Sequence, residues 1–320
     1  MAGQKFRDKV TVLGRVDALG GLFSRGTPLF GPTTGNVFHV DSGHAGASDT
    51  NSGKNPNRPL ATIDAAIGKC TASNGDIILV APGHAETVIA AASIVCDVAG
   101  VAIVGLGWGN IRPTITFGTA TTADIDIDAA SVSITNFRFI NTIAALAAPI
   151  DVNAAGFTIE DCDFYVSAAD KDVDITIITD ANGDDITVRR CNFFYDYSRA
   201  ATAVTSASTE VIRLVGADRA TVEDCYMAGN FSTAAINGIT TASGDIKISR
   251  NRIYNDQTAN VAGIIDLVAG CTGVLDDNVG FHGYATDLAT TIDPASCAMV
   301  RNYFSNVVTE AGGLVGTAST

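Results

Sequence analysis

Apolar positions recur in eight similar segments along the chain, and the segments align without a gap. They read VAIVGLGW (101–108), VSITNFRF (132–139), FTIEDCDF (157–164), ITVRRCNF (186–193), ATVEDCYM (220–227), IKISRNRI (246–253), GVLDDNVG (273–280) and CAMVRNYF (297–304). The third residue of every segment is aliphatic or Met, and the eighth is bulky and apolar in seven of the eight. We therefore expect both columns, including Trp108 in the first segment, to face a core.

A second set of short β-type runs lies between the aligned segments. They are DIDIDAA (124–130), PIDVN (149–153), DITIITD (174–180), EVIRLVG (210–216), AINGIT (235–240), GIIDLVA (263–269) and TTIDP (290–294). Each repeat thus holds at least two short strands, and no helix-length segment intervenes. One repeat cannot bury its inward face alone, but repeats stacked at ~4.8 Å bury a continuous core. The sequence predicts an all-β fold, a parallel β-helix (solenoid).

The sixth column predicts a buried ladder. It reads Cys162, Cys191, Cys225, Asn251, Asn278 and Asn302 in six successive repeats. Stacked Asn side chains can bond to each other and to the bent backbone, which offsets the cost of burying them. The seven Cys include no CxxC pair, so we expect reduced thiols that act as small core side chains.

The fifth column alternates in charge over six successive repeats. Its residues are Asp161, Arg190, Asp224, Arg250, Asp277 and Arg301. Side chains one repeat apart meet in a stacked solenoid, so alternating charges attract and like charges repel. We interpret this column as a structural ladder that fixes the register; a charged groove for a substrate is the alternative.

The chain is acidic but its first residues are basic. The formal net charge is −14, yet residues 1–35 hold five Lys or Arg against two Asp. An acidic body argues against nucleic acid as a partner. No apolar run is long enough for a membrane span or a signal peptide, so neither a membrane partner nor export is expected.

Residues 38–90 resemble the opening of pectate-lyase-like β-helix proteins. The matching elements are Val40-Asp41, a loop from Asp49 to Gly53, Arg58-Pro59 with Thr62-Ile63, Ala66-Ile67, Gly75-Asp76 and Pro82-Gly83. The resemblance covers about 45 residues and implies a right-handed parallel β-helix whose open end is plugged by a short helix near residues 60–70. It is specific for the fold and not for an activity.

The layout of arm, cap and coils also resembles tailed-phage virion proteins. These include tailspike bodies and β-helical head decoration (cement) proteins, which are commonly trimers. We expect an attachment arm at 1–36 and one β-helix domain at 37–320, with a cap at 37–90, coils at 91–306 and a C-terminal tail at 307–320. The arm would dock through charged and apolar side chains, unless it folds back on the cap. The arm side chains expected to make this contact are Lys5, Phe6, Arg7, Lys9, Arg15, Leu22, Phe23, Arg25 and Phe30.

Candidate chemistry is sparse in the sequence. Asp124, Asp126 and Asp128 share one strand face, and further acidic groups occur at 170–174 and 184–185. Alternating Asp and Ile is typical of a strand with one buried and one wet face, although a Ca²⁺ site is the alternative. Tyrosines such as Tyr226 and Tyr303 would point outward as a glycan-binding stripe or a trimer interface. We predict no catalytic, cofactor or metal site.

These patterns favour a structural role. The expected function is a trimeric capsid decoration protein of a phage, made in the host cytoplasm and located in the virion. Its partners would be further copies of itself and the major capsid protein or another virion component. The alternative is a tailspike-type protein that binds or cleaves a polysaccharide as a lyase or hydrolase.

Overall fold

The computed structural model describes residues 23–24, 27–28, 33, 35–168, 170–195, 208–256, 263–283, 292–306 and 313–315. The chain divides into two compact units, Met1–Thr34 and Gly35–Thr320. In the first unit, β1 (Phe23–Ser24) pairs antiparallel with β2 (Thr27–Pro28). No helix among the described residues is long and apolar enough to cross a membrane.

The second unit is built from three long sheets of short strands. Sheet A contains β3 (Val37–Val40), β4 (Ile77–Val80), β7 (Ala102–Gly105), β10 (Ser133–Thr135), β13 (Thr158–Glu160), β16 (Thr187–Arg189), β19 (Thr221–Glu223), β22 (Ile246–Ser249), β25 (Gly273–Asp276) and β28 (Ala298–Val300). Sheet B contains β5 (Ala85–Val88), β8 (Thr114–Phe117), β11 (Arg138–Asn141), β14 (Asp163–Val166), β17 (Asn192–Phe194), β20 (Tyr226–Gly229), β23 (Arg252–Asn255), β26 (Val279–His282), β29 (Asn302–Asn306) and β30 (Gly313–Val315). Sheet C contains β6 (Ile94–Val95), β9 (Ile125–Ile127), β12 (Ile150–Val152), β15 (Ile175–Thr179), β18 (Ser208–Leu214), β21 (Phe231–Gly238), β24 (Ile265–Leu267) and β27 (Ile292–Asp293).

The chain visits sheets A, B and C in turn, and one such visit is a coil. Neighbouring strands pair in parallel, except that β30 closes sheet B antiparallel to β29. The fold is a right-handed parallel β-helix, which confirms the predicted fold class. The segment assigned to the cap also supplies β3, β4 and β5, the first strands of sheets A and B.

The strand register confirms the alignment of the segments over most of the solenoid. In sheet A, Ile134 lies opposite Ile103 on one side and Ile159 on the other. In sheet B, Phe164 lies opposite Phe139 and Phe193, and their rings stack with centroids 4.7 Å apart. All of these side chains are buried, so the two apolar columns form the core.

The expectation for Trp108 is wrong. Its side chain is 76% exposed, and Ile115 is the residue that lies opposite Phe139. The chain makes a 3₁₀ turn at Gly109–Ile111 before β8, which delays entry into sheet B by several residues. Ungapped alignment cannot detect such an insertion, because a large aromatic residue happened to fall in the core column.

Seven of the eight aligned segments run from a strand of sheet A into a strand of sheet B through a corner of one or two residues. The fifth residue of seven segments has a left-handed backbone, with φ between +51° at Arg301 and +65° at Asn136. One such residue turns the chain from sheet A into sheet B. Asn and Asp tolerate this backbone better than other non-Gly residues, so the cost, roughly 1 kcal/mol, falls mainly on Arg190, Arg250 and Arg301.

The sixth column packs immediately inside this corner. Asn278 Nδ2 donates to the Ile248 carbonyl at 2.8 Å, while its Oδ1 accepts from the Asn251 amide at 3.0 Å. Asn302 receives the Asn278 amide in the same way. In earlier coils a thiol substitutes for the amide, since Cys225 Sγ lies 3.7 Å from the Val188 carbonyl. The predicted ladder is therefore present, with buried, free Cys.

A short helix closes the first end of the solenoid, as predicted. Helix α1 (Ile63–Ile67) is N-capped by Thr62, whose hydroxyl accepts from the Ala65 amide, and it buries Ile63, Ala66 and Ile67. Its amide at Ile63 donates to Glu86, which ties the helix to β5. The helix packs against β3, β4 and β6, and so covers apolar side chains that no further coil would cover.

Replacing Asn278 with Ala should destabilise the solenoid by about 3 kcal/mol, because it leaves buried donors of Asn251 and the Ile248 carbonyl without partners. Urea unfolding followed by circular dichroism measures the loss. The exposed Asn57→Ala variant is the control and should be neutral within ~0.5 kcal/mol. Equal stability of both variants would contradict the role given to the ladder.

Candidate functional site

The corner ladder is made of paired charges. Arg190 donates to Asp161 through Nε at 2.8 Å and through Nη2 at 2.9 Å. Arg250 holds Asp224, and Arg301 holds Asp277, with the same two-bond geometry. Each pair joins one coil to the next, whereas Arg190 and Asp224 make no direct hydrogen bond. The six residues thus form three two-coil clamps rather than one continuous chain of contacts.

A second carboxylate strengthens each clamp. Glu160, Glu223 and Asp276 precede the three corner Asp residues and accept from the same Arg. Hydrogen bonds from Arg250 hold the pKa of Asp224 below its ordinary value, and those from Arg301 do the same for Asp277. The Arg and corner Asp side chains are 38% to 61% exposed, so solvent screens their charges and each clamp contributes little to stability. This geometry suits a structural role, since both charges satisfy one another.

A comparable clamp lies at the corner between sheets C and A. Arg219 donates to Asp185 at 2.7 Å and 2.9 Å and also reaches Asp184. Both Asp185 and Arg219 have left-handed backbones, with φ of +57° and +58°. The acidic pair 184–185, which the sequence offered as candidate chemistry, therefore serves a second corner.

The outer face of sheet B is aromatic. Rings that point outward follow one another up the sheet with centroids 5.0 to 6.4 Å apart. In order along the solenoid they are Tyr165, Phe194, Tyr226, Tyr254 and Phe281. Val279 and Tyr303 extend the apolar surface at 43% and 42% exposure. We call this surface the aromatic face.

Stacking determines what the aromatic face can bind. The rings of Tyr165 and Phe194 lie 20° from parallel and cover each other's faces, so they present mainly their edges to solvent. A sugar stacks on the open face of a ring, whereas a protein surface packs well against a row of edges and exposed aliphatic groups. At this end of the aromatic face the stacking favours contact with a protein over contact with a glycan. The following ring pairs, from Phe194 to Phe281, are tilted by 38° to 49°.

The cations on the aromatic face are Arg112, Arg138 and Arg252. Arg112 pairs with Asp163 at 2.6 Å. Arg138 lies over the Tyr165 ring at 5.5 Å and forms no ion pair with any described residue. Arg252 is exposed and likewise has no ion pair in the described part of the chain. Arg138 also lies opposite Asp163 in the strand register, so three Arg share one carboxylate and the face carries two positive charges in excess.

The outer face of sheet C is acidic. Asp126 and Asp151 lie directly opposite each other on β9 and β12, and Asp266 and Asp293 do so on β24 and β27. Burial, followed by the charges of Asp124 and Asp128, raises the pKa of Asp126 to about 6. Burial and neighbouring carboxylates also raise the pKa values of Asp151 and Asp266. We call this surface the acidic face; among the described residues no group of His, Cys, Asp or Glu side chains has the geometry to hold a metal ion.

One buried polar group interrupts the acidic face. Glu210 is 1% exposed and accepts from Arg213 at 2.7 Å through both carboxylate oxygens, and from Asn237 at 2.8 Å. The register of β18 and β21 shifts next to Glu210, which marks a β-bulge. All three groups satisfy one another, so the cluster stabilises the bulge.

The remaining candidates from the sequence have ordinary structural roles or lie outside the described residues. Among the residues of the family resemblance, Asp41 accepts from the Gly43 amide, and Asp49 accepts from the amides of Ala61 and Thr62. Asp170 pairs with Lys171, and Asp172 accepts from the Ala145 amide. The proposed arm residues lie outside the described residues, except that Phe23 belongs to β1.

The aromatic face was only half visible in the sequence. The predicted outward stripe consisted of tyrosines such as Tyr226 and Tyr303, and it did not include Phe194 and Phe281. The sequence does contain a signal for this face. Because side chains alternate along a strand, the residue that follows the eighth column points outward. That position holds Tyr165, Phe194, Tyr254 and Phe281 in four coils.

No family model matches the chain, and no curated protein is detectably similar to it in sequence. Among solved structures, the chain is similar to DFA-IIIase from Arthrobacter chlorophenolicus A6, crystallised without its lid. The sequence identity is 13% and the TM-score 0.34, over 74% of this chain and 64% of that chain. A similarity at this level transfers neither a substrate nor an activity.

Replacing Asp126 with Asn should stabilise the protein at pH 7 by about 1 kcal/mol, after allowance for solvent screening. The folded pKa of about 6 exceeds the unfolded value, so Asp126 favours folding in acid and loses that contribution as the pH rises through 6. The gain should therefore shrink towards zero at pH 4. Chemical unfolding at pH 4, 5, 6 and 7 measures it, with exposed Asp97→Asn as the control; a gain independent of pH would contradict the assignment.

Proposed function

We propose that the chain is a homotrimeric structural protein of a phage virion, which coats the head as a decoration protein. The observation that carries this proposal is the aromatic face of sheet B. Its half-buried Tyr and Phe rings run over five coils, or about 20 Å at the usual strand spacing, and the more exposed Tyr303 extends the surface to a sixth coil. Contiguous apolar surface of this size marks contact with another protein.

The rigidity of the solenoid supports such a role. Three two-coil clamps and the ladder from Cys162 to Asn302 tie each coil to the next one. A solenoid held in this way keeps the spacing of its outward side chains fixed along its length. A protein that must present a constant surface to a regular shell benefits from that property.

The amino-terminal arm supplies the second support. Residues 1–35 are the basic part of an otherwise acidic chain, and basic residues attract an acidic shell at low salt. The contacts of Asn36 indicate where the chain can be cut to remove the proposed arm. Asn36 donates from its backbone amide and from its side chain to buried Asp76, so it belongs to the base of the solenoid.

Deletion of residues 1–34 should leave the β-rich circular dichroism spectrum unchanged and abolish binding to phage heads, measured by co-sedimentation with particles that lack the native protein. The cut preserves Asn36 and its contacts to Asp76. The matched control keeps the full length and replaces Lys5, Arg7, Lys9, Arg15 and Arg25 by Gln. It should bind more weakly and with less dependence on salt. Undiminished binding by the truncated protein would assign attachment to the solenoid instead.

A second candidate function is cleavage of a polysaccharide on the acidic face. Asp126 and Asp151 lie in register on adjacent strands, which places their Cα atoms one strand spacing (~4.8 Å) apart. Retaining glycosidases use two carboxyl groups about 5–5.5 Å apart, one of which has a raised pKa. Asp126, with its pKa near 6, would be the proton donor and Asp151 the nucleophile.

This second candidate predicts that host capsule or exopolysaccharide incubated with the protein gains reducing ends. Asp126→Asn and Asp151→Asn should each lower the rate at least about a hundredfold, the usual scale for loss of an acid–base group. Asp97→Asn should not change it. Cleavage with that mutational pattern would replace the structural proposal, and the absence of new ends would remove the candidate.

A further inference from the structure

The three outer faces of the solenoid differ in charge. Sheet A carries Glu160 and Glu223 on its outer face together with their partners Arg189 and Lys247. Asp276 and Asp277 share Arg301, so the charges of this sheet and its corner cancel except for one carboxylate. The aromatic face on sheet B has the uncompensated cations Arg138 and Arg252. The acidic face on sheet C has carboxylates that lack cationic partners among the described residues. An isolated chain therefore leaves complementary charges exposed on two different faces.

The unpaired charges also occur at matching heights along the solenoid. Arg138 on β11 and Asp151 on β12 belong to one coil, with Asp126 in the coil before it. Arg252 on β23 and Asp266 on β24 belong to another coil, with Asp293 in the coil after it. Each uncompensated Arg thus lies in a coil whose acidic face carries an uncompensated Asp.

The apolar positions match in the same way. Tyr165 on β14 and Ile178 on β15 share the coil that follows Arg138 and Asp151. Ile178 is half-buried and points outward between Asp151 of the preceding coil and Arg213 of the following coil, whose charge is held by Glu210. One apolar group on each face is therefore available at the same height.

We propose that copies of this chain associate side by side, with the aromatic face of one copy against the acidic face of the next, about an axis parallel to the solenoid. Rotation about such an axis does not change the height of a residue along the solenoid. Arg138 of one copy therefore lies at the height of Asp151 of the next copy, and Arg252 lies at the height of Asp266. The contact uses different faces on the two copies, and such a contact closes into a ring or continues without end. The inference rests on the proposed homotrimer and names the surfaces that would form it.

Electrostatics favour this contact over others. The carboxylates on the acidic face are held close together, and burial and mutual repulsion raise the pKa values of Asp151 and Asp266. An Arg from a neighbouring copy removes that repulsion. Contact between two acidic faces would add to it, and sheet A, whose charges nearly cancel, offers little attraction to either face.

Charge reversal tests the proposal on the purified full-length chain, without particles. Analytical ultracentrifugation at 50 mM salt should show an oligomer for the wild type. Arg252→Asp and Asp266→Arg should each weaken association at least about tenfold, because they juxtapose like charges. The double variant, Arg252→Asp with Asp266→Arg, should restore it. Lys69→Asp, the same charge change on an exposed residue at the cap, is the control and should have no effect.

The outcomes separate this inference from the function on which it rests. A monomeric wild type, or single variants that associate as well as the wild type, would overturn the face-to-face arrangement while leaving head binding to be judged by the truncation experiment. If the wild type is monomeric and Arg252→Asp abolishes binding to heads, the aromatic face contacts a different virion protein and the inference is wrong. Rescue by the double variant would support it, because no unrelated partner would carry the compensating charge.

Discussion

A residue with a left-handed backbone turns seven successive coils from sheet A into sheet B, and the rest of the structure depends on that corner. It allows two strands to follow one another with only one or two residues between them, so successive coils keep the same register. The cost falls on residues such as Arg190 and Asp224, which adopt this backbone less readily than Gly. Hydrogen bonds across neighbouring coils offset the cost, from the Arg side chains outside the corner and from the Asn or Cys ladder inside it.

Constant register has a direct effect on the surface. A side chain at a given position in one coil lies next to its counterpart in the following coil, so small differences in composition accumulate into faces of distinct character. Tyr and Phe accumulate on sheet B, carboxylates on sheet C, and balanced charges on sheet A. The net charge of the whole chain, which is negative, does not show this division.

The fold could be predicted from the sequence because it rests on repetition. Eight aligned segments, the Cys and Asn column and the alternating charges at the corner all report the same stacking, and the register confirms the core columns from Ile134 onwards. The exposure of Trp108 could not be predicted in this way, since it depends on a short insertion that shifts β8. The acidic face could not be predicted either. Whether Asp126 lies opposite Asp151 depends on the variable length of the loops between coils.

The corner clamps join coils in pairs, and this has a consequence for how the protein can change length. Asp161, Asp224 and Asp277 each begin a pair that the next coil completes with Arg. Loss of the single coil that carries Arg190 would bring Asp161 against Asp224, whereas loss of that coil together with its partner leaves the alternation intact. Shortening or duplication by recombination is therefore tolerated best in steps of two coils, about 10 Å of solenoid, so relatives of different length should differ by even numbers of coils.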